Sequence, residues 1–204
     1  LSRGESDLAG FHVPTGEFEV PSAELFGKWL DTRSHRLIHL AYRTQGLFVN
    51  NGNPLGIQGL ADLARADVRF VNRQVGSGTR MLLELMLPTC AVAPNSINGY
   101  ENTEFTHSAV AAFIASGMAD VGFGVQTAAE RFKLDFIPLA RERYFLAVNA
   151  ESLDQPGMRK VIEVVRSNSF RDAVHQLAGY DATDTGEILT LAQAFSSTPR
   201  KHAA

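Results

Sequence analysis

The sequence predicts an α/β fold with mostly parallel strand pairing, on three observations. Short apolar, β-prone runs alternate with helical stretches along the chain. Two segments, Gly4-Glu5-Ser6-Asp7-Leu8-Ala9-Gly10-Phe11 and Gly117-Met118-Ala119-Asp120-Val121-Gly122-Phe123-Gly124, repeat one plan. Each fits a helix end, a glycine stop, a small polar turn, an aspartate and a short buried strand. Finally, Phe70-Val71-Asn72-Arg73-Gln74-Val75 leads a strand into Gly76-Ser77-Gly78-Thr79-Arg80, and Met81-Leu82-Leu83-Glu84-Leu85-Met86-Leu87 continues as a helix.

Each element has its own signal. After the first echo, residues 36–49 (RLIHLAYRTQGLFV) hold β-prone runs around a polar centre, and Asn50-Asn51-Gly52-Asn53-Pro54 is a strong turn. Gly59-Leu60-Ala61-Asp62-Leu63-Ala64 reads as a short helix leading to a strand at 68–71. Gly99-Tyr100 closes a short strand or turn, and Thr106-His107-Ser108 precedes a compact helix over 109–116 stopped by Gly117. Residues 135–139 and 141–148 read as two further strands, and 158–167 and 169–178 as amphipathic helices. The polar end, 196–204, reads as frayed. Asp7 and Asp120, each opening a strand after a glycine turn, read as structural.

Length and composition narrow the function. The 204 residues allow one large domain or two small lobes, and the echoed segments favour two lobes on one plan. A net charge of −3 supplies no basic footprint for nucleic acid. The single cysteine excludes an intramolecular disulfide and cysteine-rich metal sites. Cys90, among Leu87, Pro88 and Ala91, reads as a buried, inert thiol. No run approaches the ~18 apolar residues of a membrane span, so membrane insertion is not expected. The opening residues carry neither a starting methionine nor a leader, so an upstream segment is expected to be missing.

The chemistry gathers at the 76–80 turn. A strand passing through a glycine-hydroxyl turn into a helix leaves free N–H donors at the positive end of the helix dipole, an anion site. Ser77 and Thr79 add hydroxyls; Arg73 and Arg80 add planar cations suited to an oxyanion. The same residues also suit an ordinary N-cap and turn. The nucleotide phosphate-loop spacing is absent, as are a nucleophile elbow, a dinucleotide glycine fingerprint and a zinc motif. A Ser77–His107 pair has no third orienting group, so the chain is read as a non-enzyme with no cofactor. His35 and His39 have i, i+4 spacing, but the strand-like residues around them spoil helical metal geometry.

In order along the chain stand G-E-S-D-L-A-G-F-H, Y-R-T-Q-G-L-F-V-N-N-G-N-P, F-V-N-R-Q-V-G-S-G-T-R, T-H-S-A-V-A-A-F-I-A-S-G-M-A-D-V-G-F-G and L-D-F-I-P-L-A-R-E-R-Y-F-L-A-V. This series, from about Gly4 to Val148, closely resembles the periplasmic-binding-protein-like domain of the molybdate-binding kind. That domain is often joined to a helix-turn-helix module in bacterial regulators, or to molybdenum-cofactor biosynthesis proteins. The F-V-N-R-x-x-x-S-G-T core is also similar to tungstate-binding transport proteins. The resemblance implies a type II binding protein: two lobes, mostly parallel sheets, two crossovers and a ligand cleft. Residues 1–42 with 144–204 would form lobe 1, and 43–143 lobe 2. The family's first strand and helix, with a Ser-rich anion loop, would precede Leu1 and are missing.

The implied ligand is a small oxyanion, molybdate or tungstate, held by Ser77 and Thr79 with the N–H groups of Gly78 and Arg80. Arg73 would pair with the ligand or fix the turn against a carboxylate. Arg80 would instead bridge the lobes if its side chain left the turn. Thr106 is an N-cap, while His107, in the first helical turn, and His12, after a strand, would face the cleft. Tyr144, and Arg43 and Gln45, would line the crossovers or pack the hinge. The expected role is the effector domain of a cytoplasmic regulator, reaching DNA only through a helix-turn-helix module outside this chain, with a homodimer allowed. The alternatives are a periplasmic solute-binding component of a transporter, or a domain retuned to a small organic ligand, with Phe11, Phe123 and Tyr144 as apolar walls.

Overall fold

The computed structural model describes Leu1 and residues 4–195. In chain order the elements are β1 (Leu8–Pro14), α1 (Glu19–Phe26), β2 (His35–Val49), β3 (Phe70–Arg73), α2 (Gly78–Met86), β4 (Thr103–Glu104), α3 (His107–Ala115) and β5 (Val121–Val125). They continue with α4 (Gln126–Arg131), β6 (Asp135–Asn149), α5 (Pro156–Arg166), α6 (Asn168–His175), β7 (Tyr180–Asp181), β8 (Ile188–Leu189) and α7 (Leu191–Ala194). The residues 196–204, expected to fray, lie outside the described residues.

The chain divides into two compact units, one of Leu1–Tyr42 with the chain from Glu142 onward, the other of Arg43–Arg141. Strands β2 and β6, 15 residues each, run through both divisions. The pairing is mixed, which corrects the expectation of mostly parallel sheets. β1 lies antiparallel to β6, and β2 antiparallel to β5 and β8; β3 pairs parallel with β4 and β5. Parallel pairing needs a crossover connection, usually a helix. That connection exists where α2 lies between β3 and β4 and α3 between β4 and β5. Hydrophobic periodicity reports which face is buried and carries no information on strand direction.

In the first unit, the strands bury both faces. Phe145, Leu37 and Ala147 pack with Leu191 and Ala194 of α7 and its neighbour Phe195. On another cluster, Ile38 and Val148 meet Met158, Val161, Ile162 and Val165 of α5 and Phe170 of α6. Amphipathic periodicity made those helices legible in advance. Segment 135–149 is one strand where the sequence suggested two, because Pro138 is exposed and its missing N–H leaves no buried acceptor orphaned.

In the second unit, β5 is buried at every position, as a strand flanked on both faces must be. Its glycines allow close packing. A Cβ at Gly122 would meet Val110 Cγ1 at 2.5 Å and Ile114 Cδ1 at 3.0 Å, so α3 sits directly on that strand. Phe48, Val71, Val110, Ile114 and Ala129 form the core around it. Helix α3 stops at Gly117, whose φ of 77° is the left-handed conformation glycine adopts without a Cβ clash. Asp120 accepts from the Arg69 backbone N–H at 2.9 Å, from Arg69 Nε at 2.9 Å and from Nη2 at 2.8 Å. This bond set ties the lead-in of β3 to that of β5.

Of the two forms expected for Gly99-Tyr100 the structure has the turn, and the short strand beside β3 is β4. One local expectation changes. Cys90 is exposed at the end of a 3-10 turn after α2, where Pro88 turns the chain away from the core, so its apolar neighbours misled. His35 and His39 both lie on β2, where four residues span about 13 Å, too far for shared ligation.

Two outcomes follow from this packing. Gly46→Ala places a Cβ 2.0 Å from the Ile137 carbonyl oxygen, and urea denaturation should show a loss of about 3 kcal/mol. The Arg69 guanidinium holds the Asp120 carboxyl below its ordinary 3.8. Its stabilisation is therefore full above that value and is lost as pH falls through the lower folded value. Asp120→Asn should lower stability near neutrality, and the difference from the unchanged chain should shrink between about pH 5 and about pH 2.

Candidate functional site

At the carboxyl end of β3 the chain turns through Gly76, at φ 83°, into α2. Ser77 is the N-cap: its backbone is extended and its Oγ accepts from the Arg80 N–H at 3.2 Å. Accepting that bond leaves the hydroxyl proton available for an outside acceptor. The N–H groups of Gly78 and Thr79 open the helix and have no intrahelical acceptor. Thr79 is 2% exposed, on the buried stripe with Leu82, Leu83 and Met86. The donor cluster predicted from the sequence is thus narrower in fact. It consists of the Ser77 hydroxyl with the N–H groups of Gly78 and Thr79, because the Arg80 N–H is spent on the cap.

The two arginines part company. Arg80 turns inward: Nε donates to Glu84 Oε1 at 2.9 Å, and the guanidinium lies 4.6 Å from the Tyr100 ring centre. The Tyr100 hydroxyl donates to the same carboxylate oxygen at 3.1 Å. A cation held this way fixes α2 to the 97–102 turn, in place of the ligand-binding or bridging role expected for its side chain. Arg73 keeps its place beside the turn. Nη2 donates to the Phe105 carbonyl at 2.9 Å rather than to a carboxylate, and Nε is shut from water with no hydrogen-bond partner. Burial, and then the charge of Arg43, which is itself buried, push the Arg73 guanidinium below its ordinary value.

The neighbouring strand supplies a second helix start. β4 lies parallel to β3 with Arg73 opposite Glu104, so α2 and α3 begin along one edge of the sheet. Thr106 caps α3, its Oγ1 accepting from the Ala109 N–H at 3.0 Å. His107 follows and lies over β5: a Cβ at Gly124 would meet His107 Nδ1 at 2.7 Å. Arg73, Ser77, Gly78, Thr79, Thr106 and His107 therefore share the carboxyl edge of parallel strands, where α/β sheets present helix dipoles to ligands.

The first unit carries a separate group. In the β1–β6 register, His12 pairs with Tyr144 and Pro14 with Glu142. Strand alternation puts His12, Tyr144 and Glu142 on one face. His12 Nδ1 lies 3.0 Å from Glu142 Oε1, with the carboxylate side chain 0% and the imidazole 17% exposed. The Tyr144 ring meets His12 edge-on at 6.2 Å. It lies over Gly10, where a Cβ would sit 3.0 Å from the phenol oxygen. Of the proposed apolar walls, Phe123 is buried in its own unit, and Phe11 packs on Phe26 and Phe145.

Glu142, Gly10 and Gly124 escaped the sequence reading. The period-2 spacing of Glu142 and Tyr144 within Arg141-Glu142-Arg143-Tyr144 was a usable signal; the partnership with His12, 130 residues away, was not. Among the described residues, no group of His, Cys, Asp and Glu is arranged to hold a metal ion, and no helix is long and apolar enough to cross a membrane.

The family model of the PBP superfamily domain matches residues 1–166. The chain is 35% identical over 192 residues to the uncharacterized protein YvgK of Bacillus subtilis, covering 93% of this chain and 61% of that protein. It thus spans about three fifths of that relative's length. Two solved structures share the fold. The substrate binding domain of a putative molybdenum ABC transporter from Clostridium difficile superposes with a TM-score of 0.52 at 18% identity, over 88% of this chain and 78% of that one. An ABC-type phosphate transport receptor from Vibrio cholerae gives 0.56 at 15% identity, over 88% and 81%.

Ser77→Ala removes the cap of α2 and should cost about 1 kcal/mol in urea denaturation. Ser77→Asp, which keeps a cap acceptor, should hold stability near that of the unchanged chain.

Proposed function

The chain belongs to the PBP superfamily, and on that premise we propose that it binds a small oxyanion, with molybdate or tungstate as first candidates. The observation that carries this reading is the Arg73 guanidinium. It is half-buried close to Arg43, with its Nε shut from water and without a hydrogen-bond partner, beside the N-terminal donors of α2. Like charges that are desolvated together are costly. An anion would offset that cost, accept from the Ser77 hydroxyl and the Gly78 and Thr79 N–H groups, and meet the positive end of the helix. His107 and Thr106 flank this place on the next helix; within the first unit, His12 and Tyr144 are proposed by themselves as ligand donors.

The motif series supports the finer reading, an effector domain in a bacterial transcriptional regulator working in the cytoplasm. There the ligand would act by population shift, favouring one arrangement of the domain over another. Contact with DNA would belong to a helix-turn-helix module outside this chain. In the type II plan the two compact units are the two lobes. The fold is a binding-protein fold, and the donors described have no nucleophile–base pair oriented by a third group, so binding without turnover is the proposed activity.

A second reading has one observation in its favour. Val75, two residues after Arg73, and Phe105, whose carbonyl accepts from Arg73, are 77% and 73% exposed. An organic anion with an apolar portion would use both.

Isothermal titration calorimetry of the chain with molybdate, tungstate, sulfate, phosphate and a panel of small organic anions separates these readings. The oxyanion reading expects molybdate and tungstate to bind, with affinity falling at least tenfold in Arg73→Gln and in Ser77→Asp, which adds a negative charge at the anion's place. Binding only of organic anions, weakened in Phe105→Ser, would replace it with the second reading. Unchanged affinity in both charge variants would remove the 73–80 segment from the site.

A further inference from the structure

We infer that Glu142 is a positioning residue, setting which ring nitrogen His12 offers to the ligand; this rests on the reading that His12 is a ligand donor. An ionised carboxylate only accepts hydrogen bonds. Glu142 Oε1, 3.0 Å from His12 Nδ1, therefore requires the ring proton on Nδ1. A histidine whose Nδ1 is held by a carboxylate has its ring orientation and tautomer set by that partner, and works through Nε2. The exposures agree: the carboxylate is 0% exposed and out of a ligand's reach, while the imidazole keeps 17%.

The rest of this face serves the same end. Register places Glu142 diagonally across from His12 and Tyr144 directly opposite it. Tyr144 meets the His12 ring edge-on, and it fits there because Gly10 has no side chain to displace the phenol. His12 Nε2 and the Tyr144 hydroxyl thus form a pair of polar groups on one strand face, with Glu142 beneath one and Gly10 beneath the other. The chemistry that suits such a pair is a ligand with adjacent oxygen atoms.

The test has two arms. The first is a long-range proton–nitrogen NMR spectrum of the labelled chain, with the His12 ring assigned by its loss in His12→Gln. The ring proton is expected on Nδ1 in the unchanged chain and redistributed to Nε2 in Glu142→Leu, which leaves Nδ1–H without an acceptor, whereas the Glu142→Gln amide can still accept from it. A ring protonated on Nε2 in the unchanged chain overturns the inference. The second arm is a double-mutant cycle on molybdate affinity, with tungstate as the alternative probe. Glu142→Leu should weaken binding about tenfold on its own. In the His12→Gln background it should add nothing, because a residue acting through His12 has nothing left to act on. An equal further loss in that background would mean a general structural role and overturn the inference. His12→Asn, which retains a donor to Glu142 and lacks the distal nitrogen, keeps the test decisive if Glu142→Leu does not fold: its affinity should fall while its urea stability holds. If neither anion binds the unchanged chain, the oxyanion reading fails, and the NMR arm still decides whether Glu142 sets the His12 ring.

Discussion

The second unit depends on β5 having no side chain at two of its five positions. Gly122 lets α3 lie on the sheet through Val110 and Ile114. Gly124 leaves the room that the His107 ring occupies. The same strand pairs with β2 on one side and β3 on the other. The start of α3, the edge where α2 begins and the seat of His107 are therefore all referred to one backbone. A methyl group at either glycine would have to move a helix or an imidazole, since close-packed interiors hold no spare volume.

On that scaffold, residues of one chemical kind have divided their tasks. Arg80 and Arg73 stand seven positions apart around one turn. One is paired with Glu84 and stacked on Tyr100, which binds a helix to its neighbouring turn. The other is half-buried near a second arginine, and its Nη2 donates to a backbone carbonyl rather than to a carboxylate. The carboxylate and the aromatic face place the Arg80 charge within the fold. Arg73 has a carbonyl in place of a carboxylate and stands beside the helix start, and this contrast directs the functional reading to Arg73. Histidine shows a similar contrast. His12 is engaged by a buried carboxylate at one nitrogen and remains partly exposed. His39 is buried between Tyr42 and Phe145, where loss of water pushes its imidazole below the ordinary value.

Local signals in the sequence were enough for what depends on neighbours along the chain. Glycine and N-cap chemistry located the starts of α2 and α3 and the stop at Gly117, because a cap is satisfied within three or four residues. Apolar periodicity located α5 and α6. The strand at 135–149 was divided in two because a proline is a local break signal, and only its exposed place in the folded strand shows that the break is harmless. Helix α1, with Pro21 in its first turn, carried no periodic signal strong enough to be read.

The sequence alone determined the α/β class, the order of the motifs and the glycine-hydroxyl turn that makes an anion-competent helix start. Each of these is written in residues a few positions apart, where backbone sterics and short-range hydrogen bonds dominate. The tertiary structure decided the mixed strand directions, the inward turn of Arg80, the burial of Thr79 and the partnership of His12 with Glu142. These rest on pairings between residues far apart in the chain, where burial and the geometry of approach, rather than residue type, determine what a side chain can do.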